Sequence, residues 1–200
     1  LCTMSGVFLE GFLPAIEQEC WSLLEQSVSG HKGPFHLGVI ATVADGMPEA
    51  RTVVLRRVEK ELRKLFFHTD IRSPKVQELL ASQQVCWLFY DAALRVQLRI
   101  SAKAELHTVT PAADRGWDQS RLASRLCYSV SAAPGTRLQQ PELVNLNRKE
   151  VSPELLSFSR SQFAVVETTA LSMDWVFLNH HGNRRAFFDY ITNESYWKQV

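Results

Sequence analysis

The residues best placed to do chemistry are cations. Arg51 opens the stretch Arg51-Thr52-Val53-Val54-Leu55-Arg56-Arg57, and Ser73-Pro74-Lys75 follows one short apolar run later. A Ser-Pro pair ahead of residues at helical spacing marks a helix start, with the serine as N-cap and the proline at the first helical position. Backbone N–H groups left free there, the positive end of the helix dipole, the Ser73 hydroxyl and the Lys75 ammonium together suit a phosphate. An arginine on a neighbouring strand can grip the same anion with two parallel hydrogen bonds. On an ideal strand Arg51 and Arg56 point to opposite faces, so both reach one ligand only across a bulge or a twist. The plain alternative is an ordinary Ser-Pro cap beside solvated strand-end arginines.

Other chemistries find less support. The four cysteines, Cys2, Cys20, Cys86 and Cys127, form no CxxC pair and have no histidine at ligand spacing, so no metal site is expected and the thiols read as the reduced cysteines of a cytoplasmic protein. His180-His181 sits in a Gly-Asn turn, where adjacent histidines are usually solvated, and His36 and His107 flank strands. No G-x-S-x-G motif supports a nucleophilic serine. Trp87, Phe89 and Tyr90 belong to the apolar run Val85–Tyr90, which reads as core before it reads as a stacking platform.

The elements that would position these residues follow from periodicity. Leu13, Ile16, Cys20, Leu23, Leu24 and Val28 predict an amphipathic helix over 13–28, with Pro14 in its first turn and Gly30 at its end. Strands are expected at 35–43 and 50–58, joined by a hairpin turn at Asp45-Gly46, and at 65–69. A helix over 73–82 and a buried strand at 85–90 come next. Strict alternation from Val96 to Leu106, with Gln97, Arg99, Ser101, Lys103 and Glu105 on the other face, predicts a long strand with one wet side. A helix over 111–128, a loop at 129–141, a Ser/Pro connection at 147–161 and strands near 162–169, 173–179 and 184–190 complete the chain. Many short strands with helices as inserts imply a mainly β, antiparallel barrel in one domain over 1–200.

Composition agrees. The 200 residues carry 46% hydrophobic and 22% charged side chains and a net charge of +1, which is globular and lacks the basic excess of a nucleic-acid binder. The first lysine is Lys32 and the first arginine Arg51, so no positively charged signal-peptide start is seen. No apolar run reaches the roughly 20 residues that span a bilayer.

Taken in order, Arg51-Thr-Val-Val-Leu-Arg56, Phe67-His68-Thr69, Ser73-Pro74-Lys75 and Gln97 in the strand ending Ala102-Lys103-Ala104-Glu105 resemble the flavin-binding half of the pyridoxamine 5′-phosphate oxidase family, which shows R-x-V-L-L-K, Y-T, S-R-K and a strand glutamine. Trp117, Arg121, Ser124-Arg125, Tyr128-Ser129 and Pro134-Gly135 resemble its poorly characterised FMN-binding branch more than the oxidase proper. The likeness covers roughly residues 35–190. It implies a six-stranded antiparallel split barrel with FMN at the interface of a homodimer, no nucleic-acid or membrane partner, and an FMN-dependent oxidoreductase acting on a small molecule. Arg51 and Lys75, helped by Ser73, would hold the FMN phosphate. Thr52, Val53, Val54 and Leu55 would line the ring and ribityl chain, His68 and Thr69 would stand near the phosphate end, and Gln97 would bond the ring edge. Arg56 replaces the lysine that faces the oxidase's substrate phosphate, and Arg121, Ser124 and Arg184 fall near other substrate residues.

Departures from the family pattern fall mainly on the substrate side. Pro74 removes one phosphate cation. The oxidase's R-x-H-D-R signature becomes Arg184-Arg185-Ala186-Phe187-Phe188, so its histidine is Ala186 and its second arginine Phe188, and its flanking tryptophan is Leu178 or, with looser spacing, Trp175. These changes argue against oxidation of pyridoxamine 5′-phosphate to pyridoxal 5′-phosphate and peroxide more than against FMN. A flavin- or haem-binding module without catalysis is the remaining alternative.

Overall fold

Asp45 and Gly46 adopt left-handed backbone angles, φ 51° and 80°, as a two-residue turn between twisted strands requires. They join β1 (Leu37–Ala44) to β2 (Met47–Val54). The computed structural model describes residues 6–29, 33–145 and 151–200; Cys2 and Gly30 lie outside them. A short helix α1 (Gly6–Glu10) precedes α2 (Leu13–Gln26), whose Ile16, Cys20, Trp21 and Leu24 are buried.

The expected strand at 50–58 is broken. Its second part is β3 (Arg57–Glu59), and the break falls at Leu55-Arg56. Leu55 N–H donates to His36 O at 2.9 Å, on the β1 side. Arg56 N–H donates to Phe66 O at 2.8 Å, on β4 (Lys64–Asp70). The chain therefore changes partner between two consecutive residues. Helix α3 (Pro74–Ala81), β5 (Gln84–Asp91) and β6 (Val96–His107) follow near their expected positions.

The helix expected over 111–128 is two helices, α4 (Pro111–Asp118) and α5 (Leu122–Leu126). Ser120 hydroxyl donates to Gly116 O at 2.7 Å, a side-chain bond that competes with continued helix. The expected Ser/Pro connection contains a third helix, α6 (Pro153–Ser161), with Ser152 accepting from Leu155 N–H at 3.2 Å. Its Ser-Pro start is the same signal that marks α3. The two strands expected at 162–169 and 173–179 are one, β7 (Phe163–Phe177). Its register against β6 slips at Leu171, because Ala102 faces Ala170 while Ser101 faces Ser172. Before that bulge β7 pairs with β4, and after it with β8 (Arg184–Asp189). A terminal strand β9 (Glu194–Trp197) pairs with β8.

The fold is thus a mostly antiparallel sheet of the split-barrel type, with nine described strands against eight expected from periodicity and six in the barrel that the resemblance implies. The hydrogen-bonded order is β2-β1-β5-β6-β7-β4-β3, with β8 and β9 branching from β7. The path is not closed strand to strand. Its two ends are the successive pieces β2 and β3, so a gap opens between the free edge of β2 and β4. Large side chains fill the interior, among them Trp87, Phe89, Phe67, Phe35 and Ile40. No described helix is long and apolar enough to cross a membrane.

Beyond the barrel, Asp174 on β7 is buried and accepts from Arg99 at 2.9 Å and from Arg185 at 2.9 and 2.8 Å. Burial pushes its carboxyl up. The Arg185 hydrogen bond and the charges of Arg185, Arg99 and Lys198 outweigh that and hold it below its ordinary 3.8. A depressed carboxylate adds stability that is complete above pH 3.8 and is lost as pH falls through the lower folded-state value. The melting-temperature gap between the native chain and Asp174→Asn is expected to be constant above pH 5 and to narrow below pH 3.8. A gap that does not change with pH would show that the carboxylate charge is not what stabilises this corner.

Candidate functional site

The gap beside β2 forms a cavity of about 300 Å³, lined by Arg51, Thr52, Val53, Val54, Arg56, His68, Thr69, Ser73 and Lys75 together with Asp70, Cys127, Tyr128 and Pro134. The partner switch at Leu55-Arg56 supplies the twist that lets Arg51 and Arg56 reach one space. Leu55 is buried in the core and does not line it.

At the start of α3 the Lys75 ammonium donates to Thr69 Oγ1 and to Ser73 Oγ, both at 3.1 Å, and the two hydroxyls lie 3.2 Å apart. Burial, and then the nearby charge of Arg51, push the Lys75 pKa down. Two cations held close and partly dehydrated are relieved by an anion between them. Arg51 is oriented from behind: Nη2 donates to Glu78 Oε2 at 2.9 Å, Nη1 donates to Thr42 Oγ1, and Thr42 hydroxyl donates to Glu78. Glu78 is buried, and sequence reasoning missed it. The available signal was a carboxylate on α3 between the core residues Val76 and Leu79.

Pro74 is not compensated by its neighbour. Arg72 donates to both oxygens of Asp70 and to the carbonyls of Ser131 and Val130. Its guanidinium ties the 130–131 loop to the start of α3 and is not free for a ligand.

A second cavity of about 510 Å³ shares Val54, Arg56 and His68 with the first and is also lined by Arg57, Arg115, Arg121 and Ser124. His68 stands between the two. Burial, with the charges of Arg56 and Arg57, lowers its pKa to about 3, so it is a neutral ring at physiological pH. It packs edge-on against Phe163, centroids 4.8 Å apart. A Cβ on Gly116 would lie 2.6 Å from Val165 Cγ2 and 3.1 Å from His68 Nε2, so glycine is what lets α4 approach this wall.

Two residues assigned by resemblance lie elsewhere. Arg184 is bonded at 2.8 Å to Phe8 O and at 2.7 Å to Gly11 O. Residues 184, 186 and 188 alternate onto one face of β8. Ala186 and Phe188 are core there, and Trp175 packs on Phe8. Helix α1 covers this face, which corrects the expectation that Arg184 faces a substrate. Gln97 lies opposite Tyr90 on the outer face of the sheet. Three strand steps, about 14 Å, separate it from β2, so it does not share the smaller cavity within one chain.

Comparison with known proteins matches residues 18–108 to the pyridoxamine 5′-phosphate oxidase, FMN-binding domain model. The chain is 28% identical over 171 residues to pyridoxine/pyridoxamine 5′-phosphate oxidase 2 of Arabidopsis thaliana, covering 79% of this chain and 82% of that protein. It is 32% identical over 137 residues to the pyridoxine/pyridoxamine 5′-phosphate oxidase of Nitrobacter winogradskyi, covering 68% of this chain but only 60% of the relative. A pyridoxamine 5′-phosphate oxidase-related, FMN-binding protein from Nostoc punctiforme shares the fold with a TM-score of 0.68 at 20% identity, over 96% of this chain and 99% of that one. PhzG from Burkholderia lata, solved with tetrahydrophenazine-1-carboxylic acid, does so with a TM-score of 0.67 at 15% identity, over 100% and 98%. Residues 18–108, a little under half of the chain, thus resemble the FMN-binding domain of the pyridoxamine 5′-phosphate oxidases, and the chain shares the fold of the Nostoc punctiforme protein.

Proposed function

We propose that this chain is a flavoprotein that binds FMN in the smaller cavity and acts as an FMN-dependent oxidoreductase on a small molecule entering the larger one. The observation that carries the reading is the cluster of Arg51, Lys75, Ser73 and Thr69 at the start of α3, beside the free edge of β2. Its donors suit a phosphate monoester. The unpaired edge of β2 offers backbone groups to the polar rim of a flavin, and Val53 and Val54 offer apolar contact. Bound there, FMN would supply a two-electron acceptor, and the protein's part is placement and polarity. Neutral His68 would form part of the wall between cofactor and substrate without adding charge. Among the described residues of one chain, no carboxylate lines the larger cavity.

A homodimer would complete the site. Outward side chains pair Val54 with Leu37, Val39 with Leu88 and Tyr90 with Gln97 across β2, β1, β5 and β6, and Leu37, Tyr90 and Leu88 are exposed. Packing this apolar face on a second copy would bring a partner's glutamine towards the cofactor. The oxidase proper is disfavoured by Ala186 and Phe188, which are core residues on a covered face.

The purified protein is expected to carry a yellow chromophore of FMN mass and to have twice the 22.7 kDa chain mass by light scattering. After removal of the chromophore, FMN should rebind at least about tenfold more tightly than riboflavin, the effect of one charge-assisted bond. Equal binding of the two would overturn the phosphate assignment.

A further inference from the structure

We infer that the larger cavity takes a ligand with two separate anionic groups, and that Arg57 and Arg115 select it. This rests on the reading that FMN fills the neighbouring cavity. Four arginines from three parts of the fold meet on this one space: Arg56 and Arg57 from the β2–β3 junction, Arg115 from α4, and Arg121 from the start of α5. Among the described residues, no aspartate or glutamate lines it.

Elsewhere arginines are matched, as Arg51 is by Glu78, Arg72 by Asp70, Arg160 by Asp114 and Arg185 by Asp174. Within this cavity only Arg57 has a carboxylate partner among the described residues, Glu59 at 3.1 Å. That contact, with the guanidinium 3.7 Å above the Phe66 ring, orients Arg57 without placing an acid in the cavity. Arg56 also borders the smaller cavity, where an FMN phosphate would sit.

Charge decides the ligand class. An ammonium group would meet several guanidinium groups and no carboxylate. A single carboxylate can engage one guanidinium in a fork of two hydrogen bonds and leaves the others unmatched. Two separated anionic groups match the cationic excess. Arg121 and Ser124 belong to the substrate region implied by the family likeness. Arg57 and Arg115 are additional, and they enlarge the requirement from one anionic group to two. Ala112 and Gly116 share the α4 face with Arg115 and line the same cavity, leaving room for a ring between the charged groups. The ligand class is an aromatic or heterocyclic dicarboxylate, or a phosphorylated carboxylate.

Calorimetry on the flavin-loaded protein with benzene-1,3-dicarboxylate, benzoate and benzylamine tests this. The dicarboxylate should bind at least about tenfold more tightly than benzoate, and benzylamine should not bind. Arg115→Gln and Arg57→Gln should each cost the dicarboxylate about tenfold, the scale of one charge-assisted bond, and leave benzoate and FMN affinity unchanged. Arg115 is exposed, so its variant keeps the fold, and an unchanged melting temperature verifies that. Equal binding of mono- and dicarboxylate, binding of the amine, or no dicarboxylate binding at millimolar concentration would overturn the inference. Arginine-dependent dicarboxylate binding by protein that takes up no added FMN would sustain it and refute the reading of the smaller cavity instead.

Discussion

Trp87→Ala is expected to lower folding stability by about 3–5 kcal/mol, the usual cost of emptying a large aromatic site. Trp87 is fully buried. Its ring stacks on Phe89 with centroids 5.2 Å apart and meets Phe67 edge-on at 5.5 Å. The indole N–H donates to Thr168 Oγ1 at 3.0 Å, and the Thr168 hydroxyl donates to Leu65 O at 2.8 Å. One side chain therefore links β5, β7 and β4 across the barrel interior. Trp87→Phe keeps most of the apolar area but leaves Thr168 without its donor, so a smaller loss, about 1 kcal/mol for the bond beyond the volume change, should follow. Urea unfolding of both variants checks the order. Trp87 also stands opposite Ile40 on β1, whose next neighbour across the sheet is Arg51 on β2, so the alanine variant should loosen flavin binding as well. A stability loss under 1 kcal/mol would mean that the barrel collapses around the gap.

The residues show why some of this was legible in advance. Alternation over 96–106 located β6, and Asp45-Gly46 located the first hairpin, because both signals are local. Ser73-Pro74-Lys75 located the start of α3 for the same reason. The break at Leu55-Arg56 was not legible, since it comes from β1 and β4 competing for one strand, a tertiary event with no Gly or Pro to announce it. The Leu171 bulge read as the end of a strand because a register slip and a turn interrupt alternation alike. Glu78 was marked only by its place between the core residues Val76 and Leu79, and it is the packing of α3 against β1 that turns it inward to Arg51. The position of Arg184 depended on α1, a five-residue helix too short for periodicity to reveal. Local chemistry was thus readable, while the identity of the side chain behind or across from it required the fold.

Arg51→Ala is expected to weaken FMN binding by about 1.5–3 kcal/mol, the range for a hydrogen bond to a charged group, or roughly ten- to over a hundredfold in affinity. The loss should fall towards the upper end, because Arg51 does two things. It offers its guanidinium to the cavity, and it neutralises Glu78, which is 8% exposed. Without Arg51 that carboxylate remains near the place assigned to the phosphate, with Thr42 alone to bond it. Arg51→Ala should therefore also lower the melting temperature, and adding Glu78→Gln should restore much of the stability and part of the affinity. Arg51→Lys keeps a charge but loses the fork that engages Glu78 and Thr42 together, so it should fall between the native chain and alanine. Riboflavin separates a phosphate contact from general damage, since it carries the same ring without the ester. If Arg51 holds the phosphate, riboflavin affinity in Arg51→Ala stays near that of the native chain while FMN affinity drops to meet it. If both ligands weaken in parallel, Arg51 supports the wall of the cavity and the anion is bound elsewhere.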